Sequence, residues 1–251
     1  MKKVFTKQQS DKKVVCIIPA RYASTRLPGK PLMDVNGLPL IMWTYNRAVE
    51  SGAFGDIYVA TDDERIRDAV EHHKGKAVMT SPDHASGTDR VFEAVQNTEY
   101  DFIVNLQGDE PLIPVDILQD FAGSVIKLDK LSLLTCVSYA TIEDAENPNV
   151  VKAVLAANGD AIYFSRSPIP FDRDKKGCRI YKHSGIYGFS RESLAMFCSL
   201  KRGYLEEVEK LEQLRALEYG MKIRCLMRDF VCMNIDTPED MERFRYTNKG
   251  H

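Results

Sequence analysis

The sequence lacks most of the features that mark specialised classes of protein. Its 34 Lys and Arg residues nearly balance its 36 Asp and Glu residues, which leaves a formal net charge of −2 over 251 residues. This balance excludes a generally basic nucleic-acid-binding protein. The six cysteines are far apart and form no CxxC pair, so neither a structural zinc site nor a redox dithiol is indicated. A composition of 44% hydrophobic and 28% charged residues also argues against disordered, collagen-like and coiled-coil proteins.

Long apolar runs are absent as well. Residues 1–13 are basic and polar, and the apolar run that follows them reaches only from Val14 to Ile18 before a proline. Such a run is too short for a signal peptide or a membrane span. We therefore expect a cytoplasmic protein with a flexible leader over residues 1–13.

Neither a Gly/Ser-rich linker nor a low-complexity tract nor an internal repeat interrupts the chain, so we expect one domain over residues 14–247. Apolar segments rich in β-branched residues alternate with segments of helical periodicity. The first predicted strands are residues 14–18, 56–60, 77–80 and 101–107. This alternation predicts an α/β fold with a mostly parallel, doubly wound sheet, in which ligands bind beyond the carboxyl ends of the strands.

The middle of the chain has a different pattern. Another strand is predicted over Leu131–Ala140, and Asn158-Gly159 separates two β-rich runs, which is a strong signal for a β-hairpin. We therefore predict a mixed sheet with an antiparallel β subregion inserted over residues 131–190.

The segment LEEVEKLEQLRALEYG is strongly periodic and predicts a single helix that ends at Gly220. On one helix, Glu209, Glu212 and Gln213 would be three or four residues apart and would share a face. Taken alone, these side chains would be interpreted as a solvated helix face.

The loop after the first strand carries residue types suited to phosphates. This loop, PARYASTRLPGKPL, contains Arg21, Arg26 and Lys30 among small residues. Guanidinium and ammonium groups, together with backbone N–H groups, can hold a phosphate there. The loop is not a P-loop, because Pro31 follows Lys30 where Ser or Thr is required. A solvated basic loop is the alternative interpretation.

A second loop, Gln107-Gly108-Asp109-Glu110-Pro111, follows the apolar strand FIVNL. A carboxylate at the end of a strand is where an α/β sheet would place a Mg²⁺ ligand, and Mg²⁺ is bound by one or two carboxylates plus substrate phosphates. Asp236, which ends another extended run, is the candidate partner carboxylate. Both loops have an alternative interpretation as helix caps, formed by Asp109 or Glu110 in one and by Asp236 in the other.

The basic loop, the carboxylates and the α/β sheet together indicate phosphoryl or nucleotidyl transfer. In such reactions the protein positions groups and neutralises charge instead of supplying a covalent nucleophile. The sequence has neither a GxSxG nucleophile elbow nor an HExxH zinc helix. His183 lies on a predicted strand, where a lone histidine is more often structural than a ligand contact.

Taken in order, the motifs resemble those of the 3-deoxy-manno-octulosonate (KDO) cytidylyltransferases, also called CMP-KDO synthetases. The resemblance runs from about Val14 to Arg245 and includes PARYASTRLPGKPL, YVATDDERI, MTSPDHASGTDR, VNLQGDEPLIP, AIYFSRSPIPF, KHSGIYGF, VEKLEQLRAL and IDTPEDMERFR. It implies a Rossmann-like nucleotidyltransferase fold, a homodimer and a requirement for Mg²⁺. The implied reaction transfers CMP from CTP to the anomeric hydroxyl of KDO, an eight-carbon acidic sugar, and releases pyrophosphate for lipopolysaccharide or capsule biosynthesis.

The resemblance also implies residue roles. Arg21 and Lys30 would bind the triphosphate, Asp109 and Asp236 would hold Mg²⁺, and these four are the candidate catalytic residues. The nucleotide site would further include Ala20, Asp62, Ser86 and Gln107. The sugar would be bound by Gln107, Arg166, His183, Tyr187, Glu212 and Gln213. An arginine suits the carboxylate of the sugar, and the other side chains suit its hydroxyls.

Two segments depart from the family pattern near the expected sugar and metal sites. The residues before the LEQLR motif are Arg202-Gly203-Tyr204-Leu205-Glu206, and Asn234 stands where the family usually has glycine. The first alternative is therefore the same reaction on 8-amino-3,8-dideoxy-manno-octulosonate, whose cationic group Glu206 or Glu209 could complement. Another sugar nucleotidyltransferase and a non-catalytic nucleotide-binding regulator are further alternatives.

Overall fold

In the computed structural model, strands and helices alternate through the N-terminal half, as they do in the sequence pattern. The structure describes residues 14–23, 27–230, 235 and 237–248, and the predicted leader, residues 1–13, lies outside them. The described strands are β1 (Val14–Ala20), β2 (Asp34–Val35), β3 (Leu38–Pro39), β4 (Asp56–Thr61), β5 (Ala77–Met79), β6 (Phe102–Leu106), β7 (Ser132–Tyr139), β8 (Lys152–Leu155), β9 (Ala161–Ser165), β10 (Tyr181–Ser190) and β11 (Lys222–Met227). The described helices are α1 (Leu40–Ser51), α2 (Glu64–His72), α3 (Gly87–Val95), α4 (Val115–Val125), α5 (Ile142–Glu146), α6 (Arg191–Ser199), α7 (Tyr204–Glu209), α8 (Gln213–Glu218) and α9 (Pro238–Thr247).

Nine of the described strands form one mixed sheet. Its main path runs in the order β11-β7-β10-β6-β1-β4-β5, and β8 and β9 extend from β10. Strand β1 is parallel to both β4 and β6, whereas β10 is antiparallel to β6, β7 and β8. The fold is therefore the predicted mixed, mostly parallel sheet with an antiparallel subregion. Gly159, at φ 85°, lies in the predicted hairpin between β8 and β9.

Side chains of β1 alternate between two hydrophobic cores, one on each face of the sheet. Cys16 and Ile18 pack into the core under α1 and α4, whereas Val15 and Ile17 pack into the core under α3, α6 and α8. Because successive residues of a strand point to opposite faces, a strand covered on both faces needs a continuous apolar run. Cys16 is fully buried, as expected of a thiol that acts as a small hydrophobe.

The prediction of one helix over LEEVEKLEQLRALEYG is wrong, because this segment folds as two short helices, α7 and α8. Lys210 breaks it with a left-handed backbone at φ 56°. The break lets α8 pack against α7, and buried Arg215 donates two hydrogen bonds of 2.7 Å to the Glu206 carboxylate. A helical period in the sequence carries no signal for such a break. The predicted shared helix face therefore does not form between Glu209, Glu212 and Gln213.

The C-terminal helix packs against the N-terminal half of the chain. Thr237 caps α9 through reciprocal hydrogen bonds with Asp240, and a proline occupies the first turn. The ring of Phe244 meets Trp43 of α1 edge-on at 5.2 Å. Ile235, which precedes α9, is fully buried in the same small core. Within the described ranges, no helix combines the length and apolar character needed to cross a bilayer.

Candidate active site

A cavity of about 290 Å³ opens at the carboxyl ends of β1 and β6. From β1 the chain continues to β4 on one side of the sheet, while β6 lies on the other side of β1. This reversal of strand order is the topological switch point at which open α/β sheets bind ligands. Six predicted site residues line the cavity: Ala20, Arg21, Lys30, Ser86, Gln107 and Asp109.

Lys30 and Asp109 form an ion pair in the cavity wall. Nζ of Lys30 lies 2.8 Å from Oδ2 of Asp109. Gly29, at φ 71°, leads into the 3-10 turn that carries Lys30, and a Cβ at this glycine would lie 3.2 Å from the Tyr22 ring. The Arg65 guanidinium lies 3.4 Å from the centre of that ring, close enough for a cation–π interaction. Packing around Tyr22 thus holds the start and the end of the basic loop in place. Lys30, at the end of this loop, contacts Asp109, which is the predicted metal ligand.

The loop after β6 presents Asp109 without using it as a helix cap. Pro114 occupies the cap position of α4, so the alternative interpretation of Asp109 or Glu110 as caps is wrong. The buried Glu110 carboxylate instead accepts a hydrogen bond of 2.7 Å from the backbone N–H of Gly185. A Cβ at Gly108 would lie 2.8 Å from a side chain of α1, so glycine allows this loop to pack closely on that helix.

The predicted partner carboxylate, Asp236, lies outside the described residues. The residue before it, Ile235, donates its N–H to the backbone oxygen of Asp109 at 3.1 Å. The residue after it, Thr237, is the cap of α9, so the helix has its cap without Asp236. Among the residues that the structure describes, no three His, Cys, Asp or Glu side chains are grouped as a metal site.

Helix α3 begins at the cavity. The Ser86 hydroxyl caps it by accepting from the N–H of Asp89 at 3.2 Å. Arg90 is buried and also lines the cavity, and it donates to the Thr80 hydroxyl at 2.5 Å. Its guanidinium lies 3.4 Å from Oδ1 of Asp62, which makes no hydrogen bond to a described residue, so that contact is electrostatic. Sequence reasoning missed Arg90, whose place in the MTSPDHASGTDR motif was the available signal.

Tyr187 and Gln213 meet on the sheet face that α8 covers. Tyr187 is the cross-strand neighbour of Asn105, which lies two residues before Gln107. The Tyr187 hydroxyl donates to Oε1 of Gln213 at 3.1 Å. Burial raises the pKa of Tyr187 well above its usual value, so this phenol stays protonated. Nε2 of Gln213 is buried and has no hydrogen-bond partner among the described residues.

Glu212 is held at the start of α8. Its Oε1 accepts a hydrogen bond of 2.7 Å from the Thr88 hydroxyl. Burial raises the pKa of Glu212, and the Thr88 hydrogen bond and the charge of Arg215 oppose that rise. The interpretation of Glu212 and Gln213 as a solvated helix face is therefore wrong.

His183 is held by protein contacts on β10. Its Nε2 lies 2.8 Å from the Thr135 hydroxyl, which donates to the backbone oxygen of Ile186 at 2.9 Å. Because a hydroxyl has one proton, His183 must donate through Nε2–H, and Nδ1 remains an acceptor. The imidazole packs against the rings of Phe164 and Tyr187. Burial lowers the pKa of His183 to about 3, so the ring is neutral near pH 7.

Arg166 lies outside the cavity lining. Its guanidinium donates to the backbone oxygens of Glu209 at 2.9 Å and of Pro148 at 3.0 Å. The fully buried Lys152 ammonium donates to three backbone carbonyls, including that of Arg166, and burial lowers the pKa of this lysine. Sequence reasoning missed Lys152, because a lysine on a strand has no pattern that distinguishes a buried from a solvated position.

Comparisons with known proteins show the family of the chain and similar solved structures. A family model described as cytidylyltransferase matches residues 15–223. The 3-deoxy-manno-octulosonate cytidylyltransferase of Thermodesulfovibrio yellowstonii is 46% identical over 243 residues, 91% of this chain and 95% of that protein. The 8-amino-3,8-dideoxy-manno-octulosonate cytidylyltransferase of Shewanella oneidensis is 45% identical over 235 residues, 92% of this chain and 96% of that protein. A solved structure of CMP:2-keto-3-deoxy-manno-octonic acid synthetase complexed with CTP is 40% identical, with a TM-score of 0.89 over 94% of this chain and 98% of that chain.

Proposed function

The chain belongs to the cytidylyltransferase family, and from that premise we propose that it transfers CMP from CTP to the anomeric hydroxyl of KDO and releases pyrophosphate. The observation that carries this proposal is the cavity at the switch point of the sheet, whose wall holds cationic Arg21 and Lys30 beside the Asp109 carboxylate. The product would be CMP-KDO for lipopolysaccharide or capsule biosynthesis.

The nucleotide is proposed to bind along the ends of β1 and α3. Arg21 and Lys30 would contact the triphosphate, since both line the cavity and carry charges that match phosphate. We assign the cytidine to Ala20, Ser86 and the pair of Asp62 with Arg90, because Ala20, Ser86 and Arg90 line the cavity and Arg90 contacts Asp62. The first turn of α3 adds backbone N–H groups and the positive end of its dipole, which favour an anion.

Mg²⁺ is the proposed cofactor, and the residues present fit it. Asp109 supplies one carboxylate in the cavity wall. Its backbone oxygen accepts a hydrogen bond from the N–H of Ile235, which directly precedes Asp236 in the sequence. Mg²⁺ needs only one or two carboxylates when substrate phosphates complete its ligands. When bound, the ion would polarise phosphate oxygens and favour ionisation of the attacking hydroxyl.

The protein side chains would then act through charge and position. The anomeric oxygen of the sugar attacks the α-phosphorus of CTP, and the bond to the departing pyrophosphate breaks in line with it. Lys30, which already offsets the charge of Asp109, and Arg21 would stabilise the negative charge that develops on the phosphates. No side chain has to form a covalent bond in this reaction.

The sugar is proposed to contact Gln107, Arg166, His183, Tyr187, Glu212 and Gln213. Two observations support KDO over its 8-amino analogue. Glu206 is engaged by Arg215 through two hydrogen bonds, and the Glu209 carboxylate accepts from the Ser165 hydroxyl and from the N–H of Arg166. Both carboxylates that could have complemented an 8-amino group therefore already have partners.

A homodimer in the cytoplasm, where CTP is made, is the proposed form of the protein. Large apolar side chains in the predicted insertion are exposed, at 78% for Ile142, 58% for Ile162 and 88% for Phe171. Contiguous exposed apolar surface favours a protein interface, and we propose that these side chains contribute to one. Light scattering should give twice the chain mass for the unmodified protein and a lower mass for Phe171→Asp, whereas a monomeric unmodified protein would contradict the proposal.

Mass spectrometry of the reaction products tests the function. The protein is incubated with CTP, Mg²⁺ and either KDO or its 8-amino analogue, and kcat/KM is measured for each sugar. We expect CMP-KDO and pyrophosphate, with the higher kcat/KM for KDO. A higher value for the amino sugar would establish the first alternative, and product from other nucleotide and sugar pairs alone would establish another transferase. Calorimetric CTP binding without any product would indicate a regulator.

A further inference from the structure

A fully buried asparagine interrupts the apolar strand β6. Asn105 has no exposed surface, and its strand neighbours Val104 and Leu106 are buried apolar residues. A buried amide without hydrogen-bond partners destabilises the folded protein. Asn105 has a partner at each end of its amide: its Oδ1 accepts from Nε2 of Gln107 at 3.1 Å, and its Nδ2 donates to the Thr88 hydroxyl at 3.1 Å.

A further hydrogen bond connects Thr88 to Glu212. Thr88, which is also fully buried, donates its hydroxyl to Oε1 of Glu212 at 2.7 Å. The chain of hydrogen bonds therefore runs from Gln107 in the cavity wall through Asn105 and Thr88 to Glu212. We call these four residues the amide relay. They come from β6 and the loop after it, from α3 and from the start of α8, so the relay exists only in the folded protein.

The hydrogen bonds of the amide relay all donate in one direction, from Gln107 toward Glu212. Thr88 donates its single hydroxyl proton to Glu212, so its oxygen accepts from Asn105. The NH₂ group of Asn105 then faces Thr88, and its oxygen faces Gln107. Gln107 must therefore donate through Nε2, and its Oε1 makes no hydrogen bond to a described residue. The chain of hydrogen bonds thus leaves Oε1 of Gln107 as the atom that can bind a ligand.

Packing holds Gln107 in the same orientation. A Cβ at Gly185 would lie 3.0 Å from Cγ of Gln107, so this glycine lies directly against the stem of the glutamine. A second, parallel contact runs from Tyr187, the cross-strand neighbour of Asn105, to Gln213, whose buried Nε2 has no partner among the described residues. Of these two amides, only Gln107 lines the cavity.

We propose that Asn105 and Thr88 are positioning residues that hold the Gln107 amide so that its Oε1 accepts a hydrogen bond from a hydroxyl of the acceptor sugar. This inference rests on the proposed function, because it assigns the ligand of Gln107 to the sugar. It adds two residues that do not line the cavity, and it gives Gln107 a defined role as an acceptor.

Steady-state kinetics of Thr88→Val test the role in sugar binding. Valine keeps the shape of threonine but removes the hydroxyl, so the relay is broken between Asn105 and Glu212. We expect KM for the sugar to rise about tenfold, which corresponds to the loss of one well-placed hydrogen bond, while KM for CTP changes less than about twofold. Thr88→Ser, which keeps the hydroxyl, should retain the KM of the unmodified protein for both substrates.

The matched control is Thr98→Val. Thr98 follows α3 at its other end and also uses its hydroxyl, donating to Val95 and accepting from Arg191. This variant should leave both KM values unchanged. An unchanged KM for the sugar in folded Thr88→Val, or an equal rise for both substrates, would overturn the proposal. If Thr88→Val does not fold, Thr88→Cys, whose thiol is only a weak donor, takes its place.

A nuclear magnetic resonance measurement separates the relay from the proposed function. The side-chain NH₂ signals of Gln107, assigned by their loss in Gln107→Glu, should exchange slowly with water in the unmodified protein and at least about tenfold faster in Thr88→Val. Unchanged exchange would overturn the relay whatever the activity. Protected signals in a protein that makes no product from either sugar would instead retain the relay and refute the proposed function.

Discussion

The two halves of the candidate site are built in opposite ways. On the proposed nucleotide side, Arg21, Lys30 and Asp109 line an open cavity at the switch point of the parallel strands. On the proposed sugar side, Tyr187 and Glu212 are held by hydrogen bonds inside the protein, and burial raises the pKa of both. The first half presents charged side chains to the cavity, whereas the second half holds polar groups that are already ordered.

This difference matches the chemistry of the two proposed ligands. A triphosphate brings several negative charges and is held by charge-assisted hydrogen bonds, so accessible cations suffice. Hydroxyl groups are neutral and can both donate and accept, so they are distinguished only by donors and acceptors that are fixed in advance. Substitutions on the nucleotide side should therefore change CTP binding and turnover, and substitutions on the sugar side should change stability and the KM for the sugar.

The largest expected effect is on the stability of the sugar side. Arg215→Met leaves the buried Glu206 carboxylate without the guanidinium that binds it. Breaking a buried ion pair in this way costs about 3–5 kcal/mol in the free energy of unfolding, which denaturant titration would measure. Arg224→Met, at an ion pair with Asp160 whose arginine side chain is 52% exposed, is the control and should cost about 1 kcal/mol or less. Equal losses in the two variants would contradict the comparison.

The next effect is on turnover at the nucleotide side. Asp109→Asn keeps the shape of the carboxylate but removes the charge that pairs with Lys30 and is proposed to bind Mg²⁺. We expect kcat to fall by about 100- to 1,000-fold at saturating Mg²⁺, with little change in thermal stability. Asp120→Asn, at a solvent-exposed pair with Arg228, should keep normal turnover. Near-normal turnover of Asp109→Asn would show that the Asp109 carboxylate is not needed for the reaction.

A smaller effect separates the two substrates. Tyr187→Phe removes the hydroxyl that donates to Gln213 and leaves that buried amide with no described partner. We expect about a tenfold rise in the KM for the sugar and no change in the KM for CTP. Tyr100→Phe removes a comparable hydrogen bond to Asp56, away from the site, and should leave both values unchanged. If Tyr187→Phe raised the KM for CTP alone, Tyr187 would belong to the nucleotide side and its assignment to the sugar side would be wrong.

The smallest effect near neutral pH comes from His183. Its pKa in the folded protein, about 3, lies below the ordinary value of 6.5, so the unfolded chain binds the proton more readily. Stability should therefore be unaffected by this residue above about pH 6.5 and should fall by up to about 1.4 kcal/mol per pH unit between pH 6.5 and 3. Denaturant titrations at pH 7.5, 6.0 and 5.0 should show a steeper loss for the unmodified protein than for His183→Gln. Parallel losses would show that the imidazole does not titrate in this way.

On the nucleotide side, the basic loop with Arg21 and Lys30 and the carboxylate of Asp109 could be predicted from the residues themselves, whereas the cytidine contacts came only from the family resemblance. Once a parallel sheet is inferred, the loops after β1 and β6 must lie at one edge, so the proximity of Lys30 and Asp109 follows from strand order. The hairpin between β2 and β3 also had a signal in Asn36-Gly37, both with positive φ, and sequence reasoning missed it.

The sugar side could not be predicted in the same way. Its residues come from distant segments, β10 and α8, and only the family resemblance connected them. Lys210 ends α7 with a positive φ, a backbone conformation that lysine rarely adopts. The periodic pattern therefore did not indicate a break between α7 and α8. Asn105 and Lys152 are buried polar residues, and their partners become adjacent only through tertiary packing.

Calorimetric titration of CTP in the absence of sugar tests the division between the two halves most directly. Lys30→Met removes a cation from the cavity wall and should weaken CTP binding by at least about tenfold. Tyr187→Phe should bind CTP within about twofold of the unmodified protein, because its lost hydrogen bond lies on the sugar side. Equal weakening in the two variants, or weaker binding only in Tyr187→Phe, would contradict the account.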